Sequence, residues 1–224
     1  MNIGIAFRGW LRRTATGWLT HRRDICGFPT VVVNTRSDVD TAQVFARLEA
    51  SLRLIEQYVP HHYRRFPQDF SGFLVERRAY RGAFILDSRT CLVELTFVVN
   101  PAFSLAQVAA TILHEAMHAR LYARRVALTD SPRQERFCRR AEIEFGSRVP
   151  GGEAIVQRAL ASLTLPNDEI APAIDPVLAA RRVAEVDLAV SSMPVWLKRT
   201  LICRRGLTPP GRLRGLPWIP RLRH

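Results

Sequence analysis

Residues 104 to 125 read SLAQVAATILHEAMHARLYARR, and they set the first limit on the fold. Pro101 closes the preceding segment and Ser104 is a residue type that caps helices, so a long helix is predicted here. Ile112, Leu113, Ala116 and Met117 surround three polar residues, His114, Glu115 and His118. Apolar neighbours on that scale belong to a mostly buried helix, so the rest of the chain has to fold around it. Leaving His114, Glu115 and His118 buried and unpaired would be costly, which points to a shared partner.

The elements on either side give the fold class. PTVVVNT (29–35) follows the punctuation of Gly27 and Pro29 and reads as a strand. From Asp40, apolar Val44, Leu48, Leu52, Ile55 and Val59 recur at helical spacing until Pro60. Three extended runs follow, SGFLVERRA (71–79), GAFILD (82–87) and CLVELTFVVN (91–100), with DSRT as a hairpin turn between the last two. After the long helix, Ser131-Pro132-Arg133-Gln134 has the form of a capping box, so a second helix is predicted from 132 to Gly146. Two more helical stretches, EAIVQRALASL and PVLAARRVAEVDLAV, come after Pro150-Gly151-Gly152. Strand, helix, three strands and then helices alone make an α+β chain, with a small mixed sheet covered on one face by helices.

On a helix, residues four apart leave the same face about 6 Å from each other, so His114 and His118 can aim ring nitrogens at one ion. Glu115 leaves the axis about 100° from His114, beside that pair. There it can reach a water on the ion without being a ligand. Zinc with three protein ligands keeps a position for water and lowers the pKa of that water to about 7, and Glu115 could then act as general base. In a chain of this composition the three positions coincide by chance roughly once in a hundred sequences, which disfavours accident.

HEAMH on a helix, preceded by a strand, a helix and three strands and followed by a helix with glutamates, resembles the zincin metallopeptidases, specifically the gluzincin branch typified by thermolysin. The resemblance spans about residues 29–146. It implies a zinc-dependent peptidase with Zn2+ on His114 and His118, Glu115 as catalytic base, and a peptide or protein as substrate. Leu121 and Arg124 stand where the metzincin branch would have its glycine and third histidine, and no further histidine occurs before His224, so the third ligand is expected to be a carboxylate. Glu135 and Glu142 share a face of the second helix, while Glu144 points away. Glu135 is at the level of the histidines if the first helix ends near Arg125; Glu142 is the alternative if it persists to Leu128. Cys138, small and one turn after Glu135, favours Glu135 by letting the helices approach, and the other glutamate is expected to pair with an arginine or orient a ligand. The resemblance also implies that CLVELTFVVN borders the cleft and pairs with substrate by strand addition. The family's downstream tyrosine or histidine for the oxyanion has no counterpart, since Tyr122 is the only later tyrosine. Arg139, Arg148 or Arg158, or the earlier Tyr63 or Tyr80, would have to serve. His61 and His62 read as surface histidines at a helix end.

The net charge of +13 is not spread along the chain. Residues 24–190 carry 20 Arg against 20 Asp and Glu, while residues 1–23 hold five Arg and residues 191–224 eight Lys or Arg without an acid. Trp10, Trp18, Trp196 and Trp218 lie in the same ends. The expected organisation is a basic Trp/Arg-rich segment (1–28), the zincin-like domain (29–190) and a basic Trp/Arg-rich tail (191–224). Such basic amphipathic ends suit packing on the body or on a partner protein, or a peripheral membrane surface. Nucleic-acid binding is least supported, because no reading motif accompanies the charge. No apolar run approaches the ~20 residues of a spanning helix, no secretory leader is evident, and Cys26, Cys91, Cys138 and Cys203 form no C-x-x-C pair, so a cytoplasmic, reduced protein is expected. The oligomeric state is open at this level.

Overall fold

The computed structural model of the protein describes residues 20–171 apart from 35 and 37. Within them the chain is α+β. Five strands, β1 (Thr20–Ile25), β2 (Phe28–Val33), β3 (Gly72–Glu76), β4 (Gly82–Ile85) and β5 (Thr90–Glu94), form one mixed sheet in the order β1-β2-β3-β5-β4. β1 with β2 and β4 with β5 are antiparallel, and β2, β3 and β5 run parallel. The helical stretch expected over 176–190, the Trp-rich ends and the end of the domain at 190 lie outside the described residues.

The sheet begins earlier than residue 29. β1 was counted with the basic N-terminal segment because its residues His21 to Asp24 are all exposed and only Ile25 is buried, so no alternation marks it as a strand. Its charge suits an edge position. Cys26 and Gly27, both at positive φ (51° and 81°), make the two-residue turn whose twist matches that of the hairpin.

One face of the sheet is apolar in register: Thr30, Phe73 and Cys91 lie side by side, as do Val32, Val75 and Val93. Helix α1 (Thr41–Tyr58), capped by Asp40, buries Val44, Leu48, Leu52 and Ile55 against it, as their spacing predicts. Each such side chain contributes about 1.5–3 kcal/mol by leaving water. Two single-turn helices follow, α2 (Pro60–Tyr63) and α3 (Phe66–Asp69).

The run CLVELTFVVN is not one strand. It stays extended only to Glu94 and then turns into a short helix, α4 (Leu95–Val99). The Glu94 carboxylate accepts hydrogen bonds from the Phe97 amide and the Thr96 hydroxyl, both at 2.6 Å, and this cap overrides the β-preference of Thr96, Phe97, Val98 and Val99. β5 is also an interior strand, paired with β3 and β4, so it cannot accept a peptide. Among the described residues, β4 is the edge on that side.

Helix α5 (Leu105–Ala123) is the buried helix of the sequence, started by a full capping box between Ser104 and Gln107. It packs on α1 and on β4 and β5, so α1 and α5 together cover the apolar face. The chain then reverses through Arg125 and Ala127, both at positive φ, into α6 (Ser131–Gly146). Asp130, not Ser131, caps α6: its carboxylate accepts from the Arg133 amide. Helices α7 (Glu153–Leu163) and α8 (Asn167–Ile170) complete the described chain, and none of its helices is long and apolar enough to cross a membrane.

Candidate metal centre

Because α5 ends at Ala123 and the turn is short, α6 returns with Glu135 level with the two histidines. His114 Nε2 and His118 Nε2 stand 3.1 Å apart. The Glu135 carboxylate closes the triangle, with Oε1 3.1 Å from His118 Nε2 and Oε2 3.3 Å from His114 Nε2. Around a tetrahedral ion with bonds of about 2.0–2.1 Å, neighbouring donors are separated by about 3.3 Å. The two ring nitrogens and the Glu135 carboxylate, which meets each of them through a different oxygen, are therefore close enough together to share one ion.

Glu142 takes a different part. It is buried on the same face of α6, and its Oε1 accepts from His114 Nδ1 at 2.8 Å. Arg139 and Arg158 hold that carboxylate, at 2.7 and 3.3 Å. Donation from Nδ1 fixes the ring so that Nε2 faces His118 and Glu135; Nε2 carries the second proton of the imidazolium, and loss of that proton would leave its lone pair to an ion. Glu142 thus binds the far nitrogen of the His114 ring, while Glu135 faces the nitrogens on the side of His118, and Arg139 also reaches Glu135 at 3.5 Å.

The electrostatics agree with this arrangement. Burial alone would depress the His114 pKa, but hydrogen bonds to Glu135 and Glu142 outweigh it and raise the value to about 10. Burial acts on both glutamates in the opposite direction, and their bonds to the histidines hold them below the ordinary carboxylate range. The site attracts positive charge, whether proton or metal cation.

Glu115 is equally buried but is in a different condition. Among the described residues nothing donates a hydrogen bond to its carboxylate, and burial pushes its pKa up against the opposing charge of His114 and His118. It lies under the edge strand: a Cβ on Gly82 would come within 2.7 Å of Thr111 Cγ2 and 3.0 Å of Glu115 Oε1. Only glycine lets β4 cross the helix this closely. Gly82 was not singled out from the sequence, although an isolated glycine in a strand is a signal for such an approach.

Cys138 does more than let the helices approach. Its sulfur comes within 4.8 Å of ring nitrogens of both histidines, and burial raises its thiol pKa well above the usual value.

A second cluster, His61, His62 and Glu144, has metal-like spacing but the wrong protons. His62 is a half-buried residue, not a surface one, and Arg120 donates to its Nδ1. Its Nε2 must then carry the proton that goes to Glu144 at 3.2 Å, and no lone pair is left for an ion. Arg120 also binds Asp69 at 2.7 Å, so this buried pair ties α5 to α3. Of the oxyanion candidates, Arg139 and Arg158 are engaged by Glu142, Arg148 by Glu144, and Tyr63 packs on Phe66.

No protein-family model, curated protein or solved structure matches the chain.

Proposed function

We propose that the protein is a zinc-dependent hydrolase, most specifically a peptidase of the zincin kind, with His114, His118 and Glu135 holding the ion and Glu115 as general base. The observation that carries this reading is the cluster of His114 Nε2, His118 Nε2 and the two Glu135 oxygens, with contacts of 3.1, 3.1 and 3.3 Å, beside the buried Glu115 carboxylate, to which no described residue donates. Zinc held by three protein ligands supplies Lewis acidity and makes water acidic near pH ~7. Glu115, raised in pKa by burial, is suited to take a proton at its carboxylate and return it to a leaving amine. Glu142 keeps the His114 ring in its ligating tautomer. The edge of β4, which runs past Glu115 at Gly82, offers backbone groups to an extended peptide.

The test is a comparison of Glu115→Gln with His114→Ala. Glu115→Gln should keep zinc and lose at least about a hundredfold of metal-dependent cleavage of a quenched-fluorescent peptide library, within the range of general-base effects. His114→Ala should lose both. Full activity in Glu115→Gln would remove the glutamate from the chemistry.

A second reading follows from Cys138, whose sulfur is near enough to the histidines to join them around an ion. A site closed by a fourth protein ligand is structural, and the protein would then be a non-catalytic zinc protein. Under that reading Cys138→Ala releases zinc, whereas under the first it does not.

A further inference from the structure

Next to the metal centre, on the adjoining face of α5, lies a cavity of about 410 Å³. Its floor is apolar, made by Met117, Leu121, Val126 and Phe137. Its charged lining is all basic: Arg65, Arg120 and Arg124 face it, with His61 and His62, and no carboxylate does. None of His114, Glu115, His118 and Glu135 lines it, so it is a separate site.

The cations are not equivalent. Arg120 is fully used, by Asp69 and by His62. Arg65 and Arg124 are less engaged: neither makes a side-chain hydrogen bond or a close ion pair with another described residue, Arg65 feels the charge of Asp69 while its Nε is buried without a hydrogen-bond partner, and Arg124 is exposed. Buried donors are almost always paired, so the lone Nε of Arg65, beside the exposed fork of Arg124 on the same cavity, marks a place for an acceptor. Guanidinium forks match a carboxylate with two parallel hydrogen bonds. The volume is in the range of small-molecule sites, and the lining joins four apolar side chains to five basic or imidazole ones that can orient a ligand.

We propose that this cavity binds a small organic carboxylate with an apolar body. Its headgroup is held by Arg65 and Arg124 and its hydrocarbon rests on Met117, Leu121, Val126 and Phe137. The proposal is independent of what the metal centre does.

Decanoate and decanol, which share a chain and differ in charge, are the probes. Each is titrated calorimetrically into the full-length protein, both zinc-loaded and metal-stripped. Decanoate is expected to bind once per chain in both forms, and decanol at least tenfold more weakly. Arg65→Gln with Arg124→Gln should cost decanoate tenfold or more and leave decanol unchanged. Val126→Trp, which fills the cavity, should abolish binding of both. Equal affinity for the two probes, no binding of decanoate, or indifference to the arginine substitutions would overturn the proposal. So would binding confined to the zinc-loaded protein, which would put the carboxylate on the metal.

Discussion

Glu142 and Glu135 show how two identical side chains seven residues apart acquire different tasks. Glu135 faces the Nε2 atoms of both histidines, whereas Glu142 takes the Nδ1 proton of one and is itself fixed by two arginines. Glu142→Gln keeps the size of the side chain but removes its charge, so the His114 tautomer is no longer enforced. Zinc affinity should then fall about 10- to 100-fold, read by competition with a chromogenic chelator, while Glu135→Gln should fall further because a donor is lost. An unchanged affinity in Glu142→Gln would show that the ring does not need it. His114, Glu115 and His118 were legible in the sequence because four-residue spacing on a helix fixes their common side. The division between Glu135 and Glu142 was legible only as far as the end of α5, since a helix longer by one turn would have exchanged them.

Among the elements, the start of α5 could be read from Ser104 and its burial from the apolar surround, while its end, open in the sequence between Arg125 and Leu128, falls at Ala123. The errors lie where a single side chain decides. Glu94 turns four strand-forming residues into a helical turn, and β1 is held in the sheet by its hairpin partner despite four exposed residues. The link between α3 and α5 was also missed, because an Asp and an Arg 51 positions apart leave no local pattern. That link is costly to break on one side only. Arg120→Met leaves Asp69 buried without its cation and should destabilise the protein by about 3–5 kcal/mol, measured by urea unfolding. Adding Asp69→Leu should recover most of the loss, since a matched apolar pair no longer buries a charge; no recovery would mean that Arg120 acts mainly through His62.

For the molecule as a whole, the cluster couples stability to pH and, under the proposed function, to metal. In the metal-free protein the His114 pKa is raised from 6.5 to about 10 by the facing Glu135, Glu142 and Glu115. Its contribution is therefore fully present below pH 6.5 and is lost as pH rises toward 10. Glu135 and Glu142 are lowered from 4.5, so their share is present above that value and lost as pH falls through their depressed pKa values. Under the proposed function a zinc ion would take the place of the His114 proton and remove the alkaline loss. Melting temperatures at about pH 6 and about pH 9 should thus fall for the stripped protein and hold for the loaded one, so that the gain from zinc grows with pH. Parallel curves for the two forms would separate His114 from the metal.

X-ray absorption at the zinc edge of the full-length protein, purified without chelators, addresses the centre itself. Expected is one zinc per chain with a shell of nitrogen and oxygen alone at about 2.0–2.1 Å, from His114, His118, Glu135 and a light fourth atom. A sulfur at about 2.3 Å would bring Cys138 into the shell and close the site to chemistry, and a protein that holds no zinc would contradict the centre altogether.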